Sequence, residues 1–146
     1  MTTAAEIGFG SALLILCAIV HVGIVTGAIP LISSVATLLG RTNAIFSALL
    51  LLIFGVIVIL MAHTIQVWSW AFVFLISGAF GGFADAFYFS MVTYTTLGYG
   101  DIVLDEGLRI FATFAAVTGL LTFGISTAFL MTLISALFPN IRNHDN

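Results

Sequence analysis

Three stretches, residues 7–29, 44–62 and 108–138, are each about as long as a bilayer is thick and hold almost no charge. A helix needs about 20 apolar residues to cross the hydrocarbon. In the second stretch Ser47 is the only polar interruption. Backbone surrounded by lipid must satisfy its own hydrogen bonds, so apolar runs of this length become helices. That constraint makes the chain an all-α integral membrane protein. Pro30 is expected to stop or kink the first helix, with residues 31–39 continuing it or lying at the interface. The third run is long enough to cross with tilt and ends at Pro139.

Composition excludes several alternatives. Only 6% of the 146 residues are charged, lysine is absent, and Arg41, Arg109 and Arg142 are the only arginines. A soluble domain needs far more charge on its surface, and nucleic acid has no basic patch to bind. Cys17 is the only cysteine, so no intrachain disulfide can form. No zinc-type ligand cluster and no nucleotide motif are present, so neither an enzyme nor an energised transporter is expected. The first run has no positive flank, with Glu6 its only charge, and reads as a span that stays rather than a signal peptide.

The middle of the chain is less regular. HTIQVWSW, residues 63–70, has two tryptophans beside polar residues and reads as an interfacial belt. Residues 71–80 are apolar but short, either a partial outer-leaflet segment or one more tilted span. Arginine favours the cytoplasmic side, and three spans with the N-terminus outside place Arg41 and Arg142 there together.

TTLGYGD, residues 95–101, does not suit a lipid-facing helix. Irregular backbone at membrane depth must be buried in protein or line a wet path. The stretch lies between a helix-length segment, 84–95, and the last span, so the chain dips in and leaves on the side it entered. Gly98 and Gly100 permit backbone conformations that other residues avoid. Alternation with Leu97 and Tyr99 lets successive carbonyls face one way, and such a row can replace the water shell of a cation. Asp85 is placed to cap the short helix at its N-terminus. The opposite end would bring partial negative charge inward.

This stretch resembles the selectivity filter of the potassium channel family, whose loop reads TVGYG, with Leu97 where valine is commonest. The resemblance extends back through FYFSMVTYT and covers roughly residues 44–138 with the flanking spans. It implies a re-entrant pore helix and filter loop in a tetrameric pore. Carbonyls of Thr96, Leu97, Gly98 and Tyr99, with the Thr96 hydroxyl, would bind dehydrated K⁺, and Gly100 and Asp101 would form the outer mouth. Val92 stands where some members carry a bracing glutamate. Tyr88–Phe89 replaces the usual tryptophan pair, and the Tyr88 hydroxyl is expected to reach Asp101. The implied division is an extra span and connector at 1–43, a pore domain at 44–138 and a cytoplasmic tail at 139–146. The implied protein is a homotetrameric, passive K⁺ channel in a prokaryotic inner membrane, with K⁺ its bound and transported ion and the lipid bilayer around it.

Several residues outside the loop carry expectations. Asp85, Asp101, Asp105 and Glu106 are candidates for an acidic vestibule around the mouth. Thr118, Thr122 and Ser126 recur on one face of the last span, where they either line a wet cavity or bond back to their own helix. Gly119 and Gly124 are either hinges, as an inner-helix glycine in the family often is, or close-packing positions. His21 and His63 are candidates for a pH or metal site. For His63 the first reading is an interfacial ring in the headgroups, and for His21 a buried hydrogen bond. Two alternatives to a K⁺ channel remain at this stage. One is a non-selective or metal- or proton-permeable path using the histidines; the other is a non-conducting channel-like subunit. No arginine-repeat voltage sensor is present, so gating is left to the membrane part, the filter or a regulatory partner subunit.

Overall fold

The computed structural model describes residues 2–39 and 43–138, and these form four helices: α1 Thr3–Leu39, α2 Ala44–Ile76, α3 Phe83–Tyr94 and α4 Glu106–Leu137. Three of them, α1, α2 and α4, are long and apolar enough to cross a membrane. At 37, 33 and 32 residues they are roughly 50 Å rods against about 30 Å of hydrocarbon, so they tilt or project beyond it. Arg41, Pro139, Arg142 and the proposed tail lie outside the described residues.

Of the courses open at Pro30 the chain takes continuation: α1 runs through the proline, and residues 31–39 extend the helix. Hydroxyls supplement the turns on either side. Ser33 and Ser34 donate to the Pro30 carbonyl (2.8 and 2.9 Å), and Thr26 donates to Val22 O (2.7 Å), as membrane helices containing proline tolerate. One expectation is corrected: residues 63–80 do not make a belt and a short segment. α2 is one unbroken helix from Ala44 to Ile76. It contains no proline, and the Thr64 and Ser69 hydroxyls bond back to Leu60 O and Ile65 O. Trp70 is fully buried instead of facing headgroups. The three-span reading stands.

α1 packs on α2 and α4, and α3 is held between α2 and α4. The core has two apolar clusters. One, towards the α3 end, is aromatic: Trp70, Phe74, Phe89 and Phe111 pack with ring centroids 5.1 to 6.0 Å apart. The other joins Ala28, Ile32, Leu51 and Leu133 at the far end. Close approaches lock α4 in place. A Cβ on Gly10 would lie 2.3 Å from the Phe114 ring, and one on Gly119 would lie 1.8 Å from the Tyr94 carbonyl oxygen. Glu6, also buried, accepts from the Ile110 and Phe111 amides (3.1 and 3.2 Å). A carboxylate near the N-terminus of α4 is favoured by the helix dipole.

Candidate functional site

α3 enters and leaves at one end of the three-helix frame. It starts at Gly82, which is extended (φ −142°) and makes no side-chain cap. Asp85 is therefore not the cap that the sequence suggested; it sits inside the first turn, where its charge still suits the dipole. Ser90 donates to Val67 O on α2 (2.7 Å) and seats the helix. The far end reaches the middle of the frame, where Tyr94 touches α2 and α4.

The helix then closes with a specific hydrogen-bond pattern. Thr96 N donates to Thr93 O (2.9 Å) and Leu97 N to Val92 O (3.0 Å), which is a Schellman cap. Its left-handed position is Thr96, with φ +59°, the only non-glycine with positive φ among the described residues. A β-branched residue there is strained. Gly98 and Gly100 follow at φ +55° and +76°, while Leu97 and Tyr99 keep negative φ. Left-handed residues thus alternate with right-handed or extended ones through five positions. Alternating handedness turns successive peptide planes the same way.

Every residue from 95 to 101 is exposed in the single chain, including the Tyr99 side chain at 67%. One side-chain tie crosses the loop's outer end: Tyr88 Oη donates to Asp101 Oδ2 at 2.6 Å. That hydrogen bond pushes the Tyr88 hydroxyl above its ordinary value, because the proton it shares with Asp101 is held more tightly. Tyr88 and Asp101 are therefore in contact, and the loop is fastened to the helix that precedes it.

The other candidates lie elsewhere. Thr118 and Thr122 line no open cavity in this chain. Both are fully buried and donate backward, to Phe114 O (2.7 Å) and Thr118 O (2.8 Å). Gly119 is a packing position under Tyr94, whereas a Cβ on Gly124 meets nothing within 4 Å. The face that α4 leaves uncovered is mostly apolar: Val117, Leu120, Leu121, Gly124, Ala128 and Met131 are exposed, with the hydroxyls Thr113, Thr127, Thr132 and Ser135 among and beside them. The interfacial reading of His63 is also corrected, because its ring is 9% exposed and lies 4.9 Å from the His21 ring, centroid to centroid.

Those histidines belong to a polar layer between the two apolar clusters. Ser126 Oγ is 2.9 Å from His21 Nε2 and 3.0 Å from His63 Nε2. His63 Nδ1 is 2.8 Å from Tyr94 Oη, which also meets Thr122 Oγ1 (2.8 Å) and Gln66 Oε1 (3.1 Å). Gln66 Nε2 donates to Cys17 O (3.3 Å). All four helices contribute. Sequence reasoning missed Gln66 and Tyr94, although a glutamine inside an otherwise apolar run was a signal, since polar groups at membrane depth need partners. Among the described residues no cluster of three or more histidine, cysteine or acidic side chains is arranged to hold a metal.

Three membrane-length helices around a re-entrant helix and a glycine-rich loop define a pore-loop type of membrane protein. Residues 46–136 match the model of the ion channel family, which covers well over half of the chain. The chain belongs to that family. No curated protein and no solved structure matches it.

Proposed function

We propose that four copies of this chain form a K⁺-selective channel, with Thr96–Tyr99 of each supplying one quarter of the filter. The observation that carries this reading is the alternating left-handed backbone at 96, 98 and 100 on an exposed loop. Carbonyls of Thr96, Leu97, Gly98 and Tyr99, and the Thr96 hydroxyl, replace the hydration shell of K⁺ in single file. The preceding helix aims its C-terminal, partially negative end towards the path. Asp101, braced by Tyr88, and Gly100 form the outer mouth. Exposure of Leu97 and Tyr99 in one chain supports partners that cover their side chains. The apolar stripe of α4 then lines the path below the filter. Conduction is passive, in a cell membrane.

The test is the reversal potential of the reconstituted protein with K⁺ on one side and Na⁺ on the other. A reversal close to the K⁺ equilibrium value, lost in Gly98→Ala, supports the filter. A reversal near zero sinks K⁺ selectivity, and no current from a folded tetramer sinks conduction.

A further inference from the structure

The hydrogen-bond partners of the polar layer give its histidine chain a direction. Gln66 is oriented by its bond to Cys17 O, so Oε1 faces Tyr94 and can only accept. Tyr94 has one hydrogen and spends it on Gln66 Oε1. Thr122 Oγ1, 2.8 Å away, can turn its own hydrogen from its helix carbonyls to Tyr94 Oη, so it makes no demand on that hydrogen. His63 Nδ1, its third partner, must then carry the proton and donate. His63 Nε2 is left bare and accepts from Ser126, whose oxygen accepts in turn from His21 Nε2–H. The chain runs one way, from α1 to the end of α3. It leaves His21 Nδ1 as a fully buried lone pair with no partner.

We propose that His21 Nδ1 is a proton-binding site, and that the chain His21–Ser126–His63 delivers the resulting charge to His63, behind the loop, where it reduces cation flow. A proton bonds to His21 Nδ1. His21 releases its Nε2 hydrogen to Ser126 Oγ, and Ser126 passes its own hydrogen to His63 Nε2. His63 ends as an imidazolium with Nδ1–H on Tyr94 and Nε2–H on Ser126, while His21 is again neutral. The charge moves to the ring that has an acceptor on each side.

Nothing in the layer neutralises it. Tyr94 of α3 is the other titratable side chain against these rings, and Cys17 of α1 lies in the same buried cluster as Tyr94. α2 carries no acidic residue, lysine or arginine; α1 has only Glu6, α3 only Asp85, and α4 only Glu106 and Arg109, each in the first turns of its helix. A positive His63 against Tyr94 offsets the negative end of the α3 dipole, and a cation in the loop is held less well. The site also gives α1, which lies outside the matched region, a role in the pore domain.

This effect on current rests on the ion-conduction reading, so the test has two readouts on the full chain. K⁺ current in bilayers should fall roughly tenfold as the pH is lowered from about 7.5 to about 4, the scale of one buried unit charge near a permeating cation. Ser126→Ala, which keeps both histidines, should conduct normally at the higher pH and lose that fall. Independently, nitrogen NMR of histidine-labelled wild type should find His21 as the Nε2–H tautomer and His63 as Nδ1–H at neutral pH. On acidification His63 should become doubly protonated while His21 switches to Nδ1–H. The opposite tautomers, or protonation that stays on His21, overturn the relay even if no current is measurable. A pH-independent wild-type current overturns the coupling even if the relay operates. Absence of K⁺ selectivity with the expected spectra counts against the filter reading and not against the proton site.

Discussion

Two helices in this protein end in the same way and yet differ at the residue that matters most. α2 closes with Gly78 N on Leu75 O and Ala79 N on Phe74 O, with Gly78 at φ +75°. α3 closes with Thr96 N on Thr93 O and Leu97 N on Val92 O, with Thr96 at φ +59°. Both are Schellman caps. At Gly78 the left-handed conformation meets no steric penalty, whereas at Thr96 a Cβ and a branched side chain make it unfavourable by roughly 1–2 kcal/mol. Folding alone would choose glycine at both places. The threonine at 96 therefore points to a use for its side chain, and under the filter reading that use is the hydroxyl at the inner end of the ion path.

Thr96→Gly separates the two demands most sharply. It should abolish selective K⁺ conduction, because an oxygen ligand is lost and the loop is loosened. It should also raise thermal stability in detergent, by about 1 kcal/mol, as the strain is relieved. Wild-type selectivity in this variant would mean the hydroxyl is not used. A fall in stability would mean the cap is not strained.

The next contrast concerns what each cap rests on. A Cβ on Gly78 meets nothing within 4 Å, while the α3 cap is pressed onto α4, where a Cβ on Gly119 would lie 1.8 Å from Tyr94 O. Gly119→Ala should therefore lower stability by about 3 kcal/mol, since backbone must shift against backbone, and conduction should fail with it. A thermal melt matching wild type would show that α3 can move away from α4 freely. Gly78→Ala should be milder. It should lower stability by about 1–2 kcal/mol through its left-handed φ alone and leave reversal potential unchanged. A shift in selectivity there would show that the two caps are coupled.

The sequence made the loop legible because its signals are local. Seven unsuitable residues in an apolar chain, two glycines at 98 and 100, and a flanking helix-length segment are all readable without neighbours. The three spans were legible for the same reason. The polar layer was not, because sequence proximity alone sets His63 and Trp70 side by side in one polar run. In the folded chain they face inward from one long α2, and their partners come from α1, α3 and α4. The hydroxyls of Thr118 and Thr122 were visible as a periodic face, but period alone does not say which side of α4 the other helices cover. Pro30 left two courses open because its usual effect on a helix is local, whereas α1, which continues to Leu39, also packs against α2 and α4.

The smallest effect expected lies at the outer end of the loop. Tyr88 is 40% exposed, so losing its bond to Asp101 in Tyr88→Phe should leave the thermal melt close to that of wild type. Among the described residues, however, Tyr88 is the one side-chain hydrogen-bond partner of Asp101, and the loop's backbone bonds are concentrated at the inner cap, on Val92 and Thr93. Removing the outer tie should leave the inner cap intact and let the mouth rearrange. Under sustained K⁺ current this is expected as faster decay after opening, with the reversal potential unchanged at early times. A decay identical to wild type would mean that Asp101 is held by contacts between copies, and that the Thr96 cap alone is what each chain contributes to the loop's shape.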